Sequence, residues 1–137
     1  MVSSVKETVQ SSCLVVDDDI FSQAIFRKQL HELGIENITV AGDGQAAVLA
    51  LGAMGHSPDY LICDIFMPDM DGIEFVGELS RSNYAGGLIL VTGGDHVMLE
   101  VATDIAVLSG LKVLGSFRKP IPLHALRKAI ATDLAPD

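Results

Sequence analysis

Asp59-Tyr60-Leu61-Ile62-Cys63-Asp64-Ile65-Phe66-Met67-Pro68 is the stretch whose reading decides the fold. Tyr60 to Cys63 is a short apolar run with the composition of a strand buried on both faces. It ends abruptly at the Asp64 carboxylate, and Pro68 stops regular structure soon after. In an open parallel sheet, ligands bind outside the carboxyl ends of the strands. Asp64 is therefore either a plain strand terminator, as Asp often is, or a functional carboxylate carried on a rigid strand. The other strand ends decide between the two.

Upstream, Cys13-Leu14-Val15-Val16-Asp17 is another short strand ending in acid, followed by Asp18 and Asp19. A helical pattern then places Phe21, Ala24, Ile25, Leu30 and Leu33 near one face, closed by Gly34. Asn37 to Ala41 is a second strand, and Asp43 in the Gly42-Asp43-Gly44 turn can cap a helix over Gln45 to Met54. Ala46, Ala47, Ala50 and Leu51 are its inward residues. Downstream of Asp64, a turn at Asp69 to Gly72 precedes a helix burying Ile73, Phe75, Val76 and Leu79. Leu88 to Thr92 is a fourth strand, broken by Gly93-Gly94. The next helix runs from Asp95 to about Ser109, with Val97, Val101, Ile105 and Leu108 expected inward. Val113 to Phe117 is a fifth strand, Lys119-Pro120 comes next, and the last helix begins near Pro122, a favoured first-turn residue, with Leu123, Leu126 and Ile130 on the core.

Strands and helices thus alternate five times, which predicts an α/β fold: a five-stranded, doubly wound parallel sheet with right-handed crossovers and helices on both faces. The length of 137 residues fits one domain, expected over 13–132, with a loose tail at 1–12 and a tail or linker start at 133–137. No internal repeat or low-complexity tract interrupts it.

A net charge of −9 argues against nucleic acid as a direct partner, because phosphate contacts need a basic face. No apolar run approaches the roughly 20 residues of a membrane span. Met1 to Ser12 lacks the apolar region of a secretory signal. Cys13 and Cys63 both sit inside strand patterns and read as small buried hydrophobes, so the chain suits a reducing cytoplasm. His31, His56, His96 and His124 are scattered, without metal-ligand spacing.

The strand ends carry the chemistry. The first offers Asp17 and Asp18, the third Asp64, the fourth Thr92, and Lys119 stands just past the fifth. One edge of a parallel sheet can gather them all. Carboxylates that close repel, so a positive partner is required: a hard divalent cation such as magnesium, and the Lys119 ammonium. With the Thr92 hydroxyl as a donor, the set suits phosphoryl transfer onto a carboxylate.

Leu14-Val15-Val16-Asp17-Asp18, Asp64 before Met67-Pro68-Asp69-Met70-Asp71-Gly72, Val91-Thr92 and Lys119-Pro120 resemble the receiver domain of two-component response regulators, over about Cys13 to Ala131. The resemblance implies a flavodoxin-like, CheY-like sheet of strand order 2-1-3-4-5. It implies that Asp64 is the phosphoryl acceptor, and that Asp17, Asp18, Asp64 and the backbone carbonyl of Phe66 ligate Mg²⁺. Thr92 would contact the phosphoryl oxygens, Lys119 would pair with the phosphoryl group, and the Lys119-Pro120 bond would be cis. The implied partner is a sensor histidine kinase or phosphotransfer protein, with a fused or separate output domain and, by analogy, a homodimer through the fourth and fifth helices. Asp19 has no necessary role in that pattern and reads as a cap or a solvent-exposed acid. The activity implied is self-phosphorylation and dephosphorylation rather than turnover of a substrate.

Two departures stand out. Receivers usually carry an aromatic residue three positions before the lysine, where this chain has Ser116. Phe117 is adjacent, but neighbouring strand residues point to opposite faces. The segment from Thr92 to Lys119 is also longer than in a minimal receiver, and with Gly93-Gly94 and Val113-Leu114-Gly115-Ser116-Phe117-Arg118-Lys119-Pro120 it resembles receivers that precede EAL cyclic-di-GMP phosphodiesterase domains. Ser116 motivates an alternative, a degenerate receiver acting as an unphosphorylated interaction module. An aspartyl-nucleophile phosphatase fits less well, since the second acid it needs two residues after Asp64 is replaced by Phe66. A dinucleotide-binding domain lacks its glycine-rich turn after the first strand.

Overall fold

The computed structural model describes residues 11–134. Within them the chain runs β1 (Ser12–Val16), α1 (Ile20–Glu32), β2 (Asn37–Ala41), α2 (Gly44–Ala53), β3 (Tyr60–Asp64), α3 (Gly72–Arg81), β4 (Gly87–Thr92), α4 (His96–Leu108), β5 (Lys112–Arg118) and α5 (Leu123–Leu134). All strand pairs are parallel, and the sheet order is β2-β1-β3-β4-β5. This is the expected alternation and strand order.

Central strands β1, β3 and β4 are buried throughout, as near-continuous Leu, Ile and Val runs require, whereas the edge strands β2 and β5 are half-exposed. Alternation divides the core in two. Leu14, Val16, Leu61, Cys63, Leu88 and Leu90 face α2, α3 and α4. Val15, Ile62, Ile89 and Val91 face Phe26 and Leu30 of α1 and Leu126 and Ile130 of α5. Burial raises both cysteine thiols well above their usual range, so each is a neutral core hydrophobe. Among the described residues, no helix is long and apolar enough to cross a membrane.

Four of the helices start where an acid can cap them: Asp19, Asp43, Asp71 and Asp95 accept amide hydrogen bonds at the heads of α1, α2, α3 and α4. Gly34 takes φ +88° after α1, the left-handed geometry that a glycine stop supplies.

The inward faces of two helices differ from expectation. On α1, Phe21 and Ile25 are exposed, Ala24 is exposed too, and Phe26 joins Leu30 in the core. The helix carries apolar residues on both sides, and Phe26 and Leu30 are the ones that pack on the sheet. On α4, Val97, Val101 and Leu108 point outward, while Leu99, Ala102 and Ala106 are buried and Ile105 is half-buried. The two alanines let the helix lie close to the sheet, so the bulkier valines are left outside.

The boundaries shift slightly. Ser12 already belongs to β1, its amide donating to Asp59 Oδ2 at 2.9 Å, and α5 continues to Leu134. The rest of the expected tails, residues 1–10 and 135–137, lies outside the described residues. β5 carries an irregularity: Leu88 pairs with Val113, Ile89 with Gly115, and Leu114 is the inserted residue. The bulge sets the phase of the residues after it, with Phe117 on the α1–α5 side and Ser116 on the α4 side.

Candidate functional site

Register brings the acids together. Val16 pairs with Cys63, so Asp17 and Asp64 leave the neighbouring strands β1 and β3 side by side. Asp17 is fully buried and Asp64 nearly so, while Asp18 is exposed at the rim. Each of the three offers a carboxylate oxygen, and these oxygens lie within 4.8 Å of one another.

Lys119 closes the cluster. Its amide donates to the Thr92 carbonyl at 2.8 Å, which carries the register of β4 and β5 one residue beyond the strand. The Lys119-Pro120 peptide is cis. The ammonium stands 2.7 Å from Asp64 Oδ2 and 2.6 Å from Asp17 Oδ2, and it donates to Ser22 Oγ at 3.2 Å. Burial works against the charged lysine, but the hydrogen bonds and charges of Asp17 and Asp64 outweigh it and hold its pKa above the ordinary 10.5. Burial also pushes the Asp17 carboxyl above its ordinary 3.8, further than Lys119 and the Asp19 amide pull it down. One ammonium among three carboxylates therefore leaves the pocket short of positive charge.

The donor set fits a hard cation. Asp17 Oδ1 accepts the Asp19 amide at 2.9 Å. Asp17 Oδ2 is buried, and among the described residues its partner is the Lys119 ammonium at 2.6 Å. A buried carboxylate oxygen of this kind, flanked by two more carboxylates, suits an oxygen-ligated divalent ion.

Thr92 is fully buried at the end of β4, and its Oγ1 accepts the Gly94 amide at 3.1 Å. That bond uses an acceptor lone pair and leaves the hydroxyl hydrogen available to donate. Phe66 lies two residues past Asp64, and its amide donates to Asp64 Oδ1 at 2.9 Å. The loop beyond is drawn tight by the Gly72 amide donating to the Ile65 carbonyl at 2.8 Å; a Cβ on Gly72 would come within 2.8 Å of the Ile65 backbone, so only glycine allows this approach.

Residues 13–131 match the family described as the response regulator receiver domain. The chain belongs to that family. Over 121 residues the receiver is 33% identical to a probable chemotaxis protein CheY from Rhizobium etli, covering 85% of this chain and 87% of that protein. It is 31% identical over 113 residues to the cyclic di-GMP phosphodiesterase RocR of Pseudomonas aeruginosa, covering 82% of this chain but 29% of RocR. The chain thus spans under a third of RocR, and 47% of the transcriptional regulatory protein PdtaR of Mycobacterium tuberculosis. Among solved structures, the Borrelia burgdorferi CheX–CheY–BeF₃–Mg²⁺ complex superimposes with a TM-score of 0.77 at 21% identity, covering 92% of this chain and 90% of that one. The likeness to RocR agrees with the phosphodiesterase-fused sub-type that the sequence resembles.

The receiver therefore gathers Asp17, Asp18, Asp64 and Lys119 in one pocket, with Thr92 at the neighbouring strand end. Three contributors escape a reading of the sequence. Ser22 meets the lysine, Gln23 Nε2 donates to the Asp17 carbonyl at 2.6 Å, and Asp69 accepts the Gly44 and Gln45 amides. Only Asp69 had a signal, as an acid in a turn beside a helix start.

Proposed function

We propose that this receiver is a phosphorylation switch with Asp64 as acceptor. The observation that carries the reading is the convergence of the Asp17, Asp18 and Asp64 carboxylates around the Lys119 ammonium. An Asp64 oxygen bonds to phosphorus while the bond from phosphorus to a histidine nitrogen of the partner breaks. The electron pair leaves on the imidazole, and the product is an acyl phosphate. Lys119 stays beside the new phosphoryl oxygens, and the Thr92 hydroxyl donates to one of them. Asp17, Asp18, Asp64 and the Phe66 carbonyl would hold Mg²⁺, which when bound neutralises charge on the transferring group. The receiver catalyses only its own modification and its reversal, over a functional unit of about 13–132.

The donor is a sensor histidine kinase or a phosphotransfer protein. Exposed Ile20, Phe21 and Ile25 stand on α1 beside the pocket and suit the apolar face of a partner helix. Exposed Val97, Val101 and Leu108 on α4 suit an output domain or a second copy of the chain, and the likeness to RocR supports control of cyclic-di-GMP turnover as the output. Two buried free thiols suit the cytoplasm.

Acetyl phosphate with Mg²⁺ should add one phosphate, detected as a mass gain that Asp64→Asn abolishes. A gain that survives this substitution, or none in the wild type, overturns the assignment. In the second case an unchanged amide spectrum with beryllofluoride and Mg²⁺ would favour the unphosphorylated interaction module.

A further inference from the structure

Lys119 has three partners, and the proposed cycle removes two of them. Asp17 would be drawn into metal ligation, and Asp64 is the group that becomes phosphorylated. Ser22 is neither. It sits in the first turn of α1, and its oxygen accepts from Lys119 Nζ at 3.2 Å, across 97 residues of sequence.

The hydroxyl is also oriented. Ser22 Oγ donates to Asp19 Oδ2 at 3.0 Å, and Asp19 is held as the N-cap of α1 by the Phe21 amide at 3.1 Å. A serine has a single O–H hydrogen. With that hydrogen committed to Asp19, the Ser22 oxygen can only accept, and the carboxylate beyond it strengthens it as an acceptor. Asp19 thereby gains a role besides capping. The chain of contacts runs from the Asp19 carboxylate through the Ser22 hydroxyl to the Lys119 ammonium. The Lys119 side chain is 17% exposed, so its ammonium is placed by these polar partners at the rim of the pocket.

We propose that Ser22 is the positioning residue of Lys119, the one contact that persists while the ammonium exchanges Asp17 and Asp64 for the phosphoryl group. This rests on the reading of Asp64 as acceptor, but it has a consequence in metal-free protein that does not.

In metal-free protein, ¹⁵N-lysine spectra report how fast the Lys119 ammonium exchanges with water. Ser22→Ala should speed that exchange several-fold, and Ser22→Thr, which keeps the hydroxyl, should restore it. With acetyl phosphate at saturating Mg²⁺, Ser22→Ala should phosphorylate about tenfold more slowly, in keeping with one lost hydrogen bond to a charged group. Mg²⁺ affinity should stay within about twofold, because Ser22 touches no metal ligand directly and reaches them only through Lys119 and Asp19. In a Lys119→Ala background the Ser22 substitution should cost nothing further. Unchanged ammonium exchange in Ser22→Ala, a Thr variant that fails to restore it, or an additive loss in the Lys119→Ala background would each overturn the proposal. If the wild type takes up no phosphate, the reading of Asp64 fails while the exchange measurement still decides the role of Ser22.

Discussion

Three residues apart along the chain, Ser116 and Lys119 turn to opposite sides of the sheet and meet different kinds of partner. Lys119 is clamped between two buried carboxylates. Ser116 Oγ lies 2.6 Å from Thr103 Oγ1 on α4, and Thr103 Oγ1 donates to the Leu99 carbonyl at 2.6 Å, so the serine is the donor in the pair. One contact is ionic and the other joins neutral hydroxyls. A phosphoryl group at Asp64 alters charge at the ionic end directly. The hydroxyl end carries no charge and is worth only about 1 kcal/mol, small enough to be broken by a modest shift of the strand. In this receiver the position where an aromatic is usual thus holds a contact between β5 and α4, a latch of two hydroxyls. It borders a cleft of about 270 Å³ lined by His96, Leu99, Glu100, Thr103, Asp104 and Ser116.

The largest effect belongs to the charged end. Lys119→Met leaves Asp17 and Asp64 adjacent and without their cation. Removing one partner of a buried ion pair costs about 3–5 kcal/mol; the Lys119 side chain, 17% exposed, reaches the rim, so about 2 kcal/mol is expected in metal-free protein by urea unfolding. Mg²⁺ should restore part of the loss. The pH dependence has a definite sign. The folded pKa of Lys119 lies above 10.5, so its contribution is fully present below 10.5 and fades as pH rises through the folded value. Lys119→Met should lack that alkaline loss. Equal stability of the two proteins at neutral pH would show that the clamp is not what holds this end.

The neutral end should respond less. Thr103→Val removes both hydroxyl bonds of the latch, and Ser116→Ala removes one. Each is expected to lower stability by about 1 kcal/mol, with the double variant little worse than Thr103→Val alone. If the latch holds α4 in its resting place, Ser116→Ala should also shift the amide signals of α4 before any phosphate analogue is added. Signals that stay put would remove the contrast between the two ends.

The same contrast explains which features could be read in advance. Asp17, Asp64, Thr92 and Lys119 were legible because each ends or trails an apolar run, and a parallel sheet sends all such ends to one edge. The inward face of α3 was legible because Glu74, Glu78 and Arg81 mark its polar side against buried Phe75, Val76 and Leu79. On α1 and α4 apolar residues occupy both sides, so periodicity could not say which stripe meets the sheet; on α4 the small Ala102 and Ala106 are the buried ones. Ser22 and the Ser116–Thr103 latch were invisible for another reason. A serine or threonine gives no sign of its partner when that partner arrives from a distant element, and both contacts exist only once the sheet has assembled.

The smallest effect concerns the loop between the acceptor and α3. Asp69 Oδ1 accepts the Gly44 amide at 3.0 Å and Oδ2 the Gln45 amide at 2.9 Å, which ties the loop to the positive end of α2. Met70 presses on the same helix end: a Cβ on Gly44 would lie 2.8 Å from Met70 Cβ, so the approach of Met70 needs that glycine. The Gln45 amide first, and the Gly44 amide behind it, hold the Asp69 carboxyl below its ordinary 3.8 despite some desolvation. A carboxyl with a lowered folded pKa stabilises above the unfolded value and loses that contribution as pH falls through the folded one. Asp69→Asn keeps one acceptor oxygen but no charge, so its urea midpoint at neutral pH should fall slightly, by less than for Thr103→Val. The gap from wild type should close in acid, where wild-type Asp69 is also neutral. A gap that persists in acid would mean that the amide bonds alone, and not the carboxylate charge, hold the loop against α2.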